Sequence, residues 1–60
     1  MIQFKDTDGN FWVFIKTNIV SIYRTPRDKN NIAHIVVTTT VGDPYSFDID
    51  WNDKECVRES

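Results

Sequence analysis

The segment Phe11-Trp12-Val13-Phe14-Ile15-Lys16 places five large apolar side chains in succession, and this run constrains the fold more than any other feature of the chain. Aromatic and β-branched residues lose χ1 freedom in a helix and suit a pleated, packed surface, so the run reads as a strand. Side chains alternate across a strand, which sets Phe11, Val13 and Ile15 on one face and Trp12, Phe14 and Lys16 on the other. Both faces are apolar, so a lone sheet with one wet side leaves part of this strand uncovered.

The rest of the chain repeats the strand signal. Residues 1–5 alternate weakly and lead into Asp6-Thr7-Asp8-Gly9-Asn10, where Asp-Gly marks a hairpin turn. Thr17-Asn18 interrupts the aromatic run, and residues 19–25 resume it until Pro26 removes a backbone donor. Pro26-Arg27-Asp28-Lys29-Asn30-Asn31 has the make-up of an exposed loop. Residues 32–40 then carry Ile35-Val36-Val37-Thr38-Thr39-Thr40, a run of strong β formers. After the turn Val41-Gly42-Asp43-Pro44, residues 45–50 alternate apolar and polar, as a strand with one buried face does. In the tail, Asn52 as N-cap with Glu55 three positions later predicts a short helical turn. Strands joined by turns of a few residues must be antiparallel neighbours. The expected fold is therefore all-β: a five-stranded antiparallel meander, flat or curled into a small barrel, with a short C-terminal helical turn, in one domain over residues 1–60.

The same two-sidedness recurs beyond the first run. Ile19 and Tyr23 are expected on one side of the third strand with Val20 and Ile22 on the other, and Ile35 and Val37 oppose His34 and Val36 in the fourth. Only the tail after Asp50 remains to form a second layer. A surplus built from Trp12, Phe14, Val20 and Ile22 is thus expected to stay exposed as an interaction face for a protein partner or a second copy, giving a homo-oligomer. The competing arrangement buries Trp12 under Trp51 and Val57 of the tail.

Charge and cysteine usage narrow the function classes. Seven basic against nine acidic side chains give a net charge of −2, so nothing pulls the chain as a whole toward phosphate backbones. Nucleic-acid binding is kept as an alternative, because Arg24, Arg27 and Lys29 cluster near one hairpin and the strand aromatics could stack bases. A further alternative is a small ligand held at an oligomer interface. Cys56 is the only cysteine, which rules out a disulfide within the chain. With an opening that lacks the pattern of a secretion signal, this fits a cytoplasmic protein. No apolar run approaches the ~18 residues of a membrane span.

Chemistry-bearing motifs are scarce. Asp6-x-Asp8-x-Asn10 and Asp48-x-Asp50-x-Asn52 imitate the start of a calcium loop. The first meets Thr17 where a bidentate carboxylate belongs, and the second has Asp53 in place of the turn glycine. Turn-forming side chains explain the first, and a solvated strand face with an acidic helix start explains the second. His34 and Cys56 are too few for a zinc site, and only Gly9 and Gly42 are available for a phosphate loop. No catalytic residue, metal or cofactor is expected, and the chain reads as a non-enzymatic accessory or regulatory module.

The apolar pair Met1-Ile2, the Asp8-Gly9 turn, the aromatic-aliphatic strand, Asn18-Ile19-Val20-Ser21-Ile22 and then Thr38-Thr39-Thr40 with Gly42 resemble, in that order, the small FlbD-like proteins of bacterial flagellar operons. The chain departs from them at Thr17, where that family favours a proline-containing turn, in a longer third hairpin, and in its acidic ending Asp48-Ile49-Asp50-Trp51. The resemblance implies a non-enzymatic accessory protein and transfers no active-site residue. Short β proteins of phages and mobile elements, which act by binding a host protein, share the same pattern.

Overall fold

The aspartates that begin the turns organise the chain. In the computed structural model, which describes all 60 residues, strand β1 (Ile2–Lys5) and strand β2 (Phe11–Phe14) form an antiparallel hairpin. At its corner the Gly9 N–H donates to the Asp6 carbonyl at 3.0 Å, and the Asp6 N–H donates to the Asn10 carbonyl at 2.9 Å. Gly9 sits at φ 85°, the left-handed bulge position of a three-residue hairpin loop, which glycine occupies without steric cost. Substituting Gly9→Ala should therefore lower stability by about 1 kcal/mol. No neighbour lies within 4 Å of the added methyl group, so thermal denaturation reads the conformational cost alone.

A short 3-10 turn over Lys16–Asn18, closed by the Asn18 N–H on the Ile15 carbonyl at 2.9 Å, redirects the chain into a second sheet. Strands β3 (Ile19–Arg24), β4 (Ile32–Thr39) and β5 (Tyr45–Asp50) form it in the order β3-β4-β5. The β3–β4 corner repeats the first one: the Asn31 N–H donates to the Asp28 carbonyl, the Asp28 N–H donates to the Ile32 carbonyl, and Asn31 takes φ 68°. The chain then returns to the first sheet. Strand β6 (Val57–Glu59) pairs antiparallel with β1, giving the order β2-β1-β6.

Three expectations are corrected. The molecule is all-β, but it has six strands in two three-stranded sheets rather than a five-stranded meander, because β2 and β3 do not pair. Neither sheet closes into a barrel. The tail forms no helical turn of the kind expected. The Asn52 and Glu55 N–H groups donate to the Asp50 and Asp53 carboxylates, and the Asp53 and Cys56 N–H groups donate to the carbonyls of Asp50 and Asp53. These two linked turns satisfy the backbone and deliver the chain to β6. The only helical element is the 3-10 turn before β3.

The sheets meet over one core of Phe4, Phe14, Ala33, Ile35, Val37, Phe47, Ile49 and Cys56. As alternation predicts, Ile35 and Val37 point inward while His34 is exposed. Phe47 and Ile49 are likewise buried between exposed Ser46 and Asp48. In β3 the alternation breaks. A bulge between Ile19 and Ser21 shifts the register, so Ile22 stands opposite buried Val37, on the core side, and Tyr23 lies opposite Val36 on the outer side. The expected grouping of Ile19 with Tyr23 is thereby reversed, since a bulge inserts one residue without a partner.

Candidate interaction surface

The placement of Trp12 decides how much apolar surface is left free. Its ring stacks on Phe47 at 4.8 Å and 12°, and its Nε1–H donates to Asp6 Oδ2 at 2.9 Å. The other Asp6 oxygen accepts the Asp8 and Asn10 N–H groups at 2.9 and 2.8 Å. These donors, the indole foremost, hold the Asp6 carboxyl below the usual aspartate range against the opposing effect of burial. Phe14 lies edge-on to Phe4 at 6.2 Å and to Tyr45 at 5.6 Å and is 8% exposed. Trp12 and Phe14 thus form the inter-sheet aromatic cluster, whereas Val20 (65%) and Ile22 (42%) are exposed on β3. The four residues expected to make one face are divided between the core and the edge of the other sheet. Trp51 and Val57 do pack against the core, but the ring stacked on Trp12 is Phe47.

Besides Met1, Val41 and Tyr45, the exposed apolar side chains lie along two sheet edges. On β2 they are the opposite set from the one expected: Phe11, Val13 and Ile15 are each more than half exposed, and Lys5 Nζ lies 5.9 Å from the Phe11 ring centroid. Beside them a cavity of about 380 Å³ is lined by Trp12, Phe14, Ile15, Val41 and Tyr45 among others. On β3 the exposed set is Val20, Ile22 and Tyr23.

Hairpin phase shows where the backbone is open. Asp6 and Asn10 are a hydrogen-bonded pair, and bonded and non-bonded pairs alternate along an antiparallel ladder. The Phe11 and Val13 amides therefore point away from β1 into the open edge of β2. In the other sheet the Thr25 N–H donates to the His34 carbonyl at 3.0 Å, and the same alternation turns the Ile22 and Arg24 amides outward from β4. The matching edge of β5 is partly covered, because the Thr7 N–H donates to the Asp48 carbonyl at 3.0 Å.

The basic residues of the nucleic-acid alternative are arranged around Trp51. The Arg24 and Arg27 guanidinium carbons lie 5.5 and 5.7 Å from its ring centroid, and Lys29 is exposed at the hairpin corner. None of the three is ion-paired; the ion pairs are Lys5–Asp53 at 3.1 Å and Lys16–Glu59, and His34 Nδ1 is hydrogen-bonded with Asp48 Oδ1 at 2.7 Å. Trp51, against which both arginines rest, lies outside the strands and is not one of the strand aromatics that could stack bases. Trp51 Nε1 is buried without an acceptor.

The remaining chemical groups are dispersed. His34 sits exposed opposite Asp48 on the outer face of the second sheet, while Cys56 is buried in the core, where loss of solvent raises its thiol pKa. Burial and a raised pKa make a thiol inert. A polar concavity near the first hairpin is lined by Lys5, Asp6, Thr7, Asp8, Gly9, Asp50 and Asp53. Three of its four carboxylates are engaged, Asp6 by Trp12 and the backbone, Asp50 by the Asn52 N–H, and Asp53 by the Glu55 N–H and Lys5, which leaves Asp8. No group of three or more His, Cys, Asp or Glu side chains converges to hold a metal ion.

Fold and surface together define a small two-sheet β protein with exposed apolar edge strands. No protein-family model, no curated protein and no solved structure matches the chain. No helix is long and apolar enough to cross a membrane.

Phe11, Val13, Ile15 and Tyr45 were not singled out by sequence reasoning, and Tyr23 entered only as one of the strand aromatics that could stack bases. Phe11, Val13 and Ile15 were visible as one face of the first run, but period-2 alternation does not say which face turns inward. Tyr23 was hidden by the bulge.

Proposed function

We propose that this chain is a non-enzymatic protein-interaction module that engages its partner, or a second copy of itself, through its exposed edge strands. The observation that carries this reading is the coincidence of outward-facing backbone amides with exposed apolar side chains on β2 and again on β3. An exposed edge invites strand addition, and natural edges are usually blunted by charge, proline or cover. Here the four residues of β2 include no charged one, while β3 carries Arg24 and the bulge between Ile19 and Ser21. An accessory role of the kind the flagellar resemblance implies, or the host-binding role of a phage protein, is compatible with this mode.

The test measures the solution mass of the purified chain, alone and after affinity capture. The comparison is a variant with Phe11→Thr and Val13→Thr, which keeps β propensity and removes apolar surface. We expect either a mass above the monomer or a protein retained by the parent chain and lost from the variant. A monomer at every concentration that retains nothing overturns the reading.

Nucleic-acid binding is the second reading, favoured only by the absence of ion-pair partners for Arg24 and Arg27. It requires an affinity that falls steeply with salt and weakens in Arg27→Ala.

A further inference from the structure

Resting on the interaction reading, we infer that the edge of β2 is a peptide-binding groove, which takes an extended segment of a partner protein as an added strand with apolar residues at alternate positions. The carrying observation is that a side-chain cavity adjoins this open edge. It measures about 380 Å³ and is lined on one side by Trp12, Val13 and Phe14 of β2 and on the other by Val41, in the turn after β4, and Tyr45 of β5. The Phe11 and Val13 amides open onto the same edge, so free main-chain groups and a cavity lie side by side. Strand addition uses both: main-chain hydrogen bonds hold the incoming segment, and pockets take its alternate side chains. A segment bonded to the Val13 N–H and carbonyl sets its residues opposite Trp12 and Phe14 on the inner face. Those two side chains enter the cavity, and the one opposite Val13 faces solvent. None of the 9 residues lining the cavity is charged. A charged side chain there loses its hydration without gaining a partner, so the two inward positions call for apolar residues.

The same features set β2 apart from the other open edge and an extended peptide apart from other occupants. β3 carries a bulge and Arg24, which blunt an edge, and no cavity adjoins it. β2 pairs with β1 in unbroken register and has no charged residue. In a dimer that joins β2 to β2, the Trp12 and Phe14 side chains of each copy stay in that copy's own core, where Trp12 stacks on Phe47 and Phe14 is 8% exposed. Both cavities are then left empty. A helical partner has already used its main-chain groups within the helix. Only an extended segment with free inward side chains meets the amides and the cavity together.

The test selects binders to the immobilised chain from a random peptide library and titrates the selected sequences, as synthetic peptides, into the isotope-labelled chain. They are expected to share apolar residues at alternate positions, to shift the Phe11 and Val13 amides and the Tyr45 ring, and to slow hydrogen exchange at both amides. Val13→Pro removes an N–H that bonds nothing within the chain, and Val41→Glu places a charge at the cavity rim, where Val41 is 79% exposed. Each variant is expected to keep its circular dichroism spectrum and to weaken peptide binding about tenfold or more. If proline disturbs the strand, a selected peptide N-methylated at the residue bonded to Val13 reads the same hydrogen bond on the parent chain. A selection that yields no peptide, peptides that shift the Ile22 and Arg24 amides instead, or an affinity unchanged by Val41→Glu or by loss of the Val13 bond overturns the inference. In each case a mass above the monomer that is lost in the Phe11→Thr and Val13→Thr variant leaves the interaction reading standing.

Discussion

Phe14→Asp is expected to abolish folding, whereas Val20→Asp leaves the fold intact. Phe14 is 8% exposed and packs edge-on against Phe4 and Tyr45. Truncating a buried phenylalanine to alanine already costs about 3–5 kcal/mol. The aspartate adds the cost of placing a carboxylate among aromatic rings with no basic partner, a further few kcal/mol that protonation only partly relieves. At ~0.05–0.15 kcal/mol per residue, a chain of 60 residues has roughly 3–9 kcal/mol in total, so the loss matches or exceeds the whole stability. Val20 is 65% exposed at the bulge, and a surface change there is worth about 0.5 kcal/mol or less. Circular dichroism and one-dimensional NMR of the two variants check the contrast. A folded Phe14→Asp chain would mean that the ring is not part of the core.

This contrast also separates what sequence made visible from what it hid. Strand identity was legible wherever β-branched residues accumulate. β4 and β5 fell where expected, and their inward residues Ile35, Val37, Phe47 and Ile49 follow period-2 alternation directly. The partition into two sheets was not legible. Thr17-Asn18 has the length of a hairpin connection, and only the 3-10 closure of Asn18 on Ile15, followed by the Thr40 N–H on the Asn18 carbonyl, shows that β2 and β3 belong to different sheets. β6 was hidden for a related reason. Val57-Arg58-Glu59 has little strand character of its own and is specified by pairing with Ile2, Gln3 and Phe4, contacts that span almost the whole chain.

The interaction surface suffered from both effects. Lys16 shares parity with Trp12 and Phe14, the residues expected to stay exposed. The strand ends at Phe14, so Lys16 carries no information about the face. The polar residue that does fix it is Asp6, whose bond to the Trp12 indole holds that ring on the core side. Asp6 was legible as a turn former, whereas Asp50 and Asp53 were read as a strand face and a helix start. Asp6, Asp28, Asp50 and Asp53 each accept the N–H two residues ahead and begin a turn closed onto their own carbonyl.

The second large effect follows from Asp6. An Asp6→Asn variant keeps the shape but has one acceptor oxygen where the carboxylate has two. If that oxygen serves the Asp8 and Asn10 N–H groups, the new amide N–H₂ faces the Trp12 N–H, and a donor is left against a donor in a partly buried site. A marked fall in melting temperature is expected, together with an upfield move of the Trp12 indole proton as its bond is lost. The parent chain should show the same linkage through pH. Because the folded Asp6 carboxyl titrates below its unfolded value of about 3.9, the unfolded state binds more protons in that range. The stability that Asp6 contributes is therefore complete well above pH 4 and is lost as pH falls through the folded pKa. Asp53 and Glu59 are lowered too, the first chiefly by the Glu55 N–H and then by Lys5, the second by Lys16, so acid unfolding of the parent reports all three groups. Asp6→Asn should remove only the part that moves with the Trp12 indole resonance. If the slope of stability against pH between about 2 and 4 is the same in variant and parent, the carboxylate of Asp6 is not what pins the first hairpin to the core.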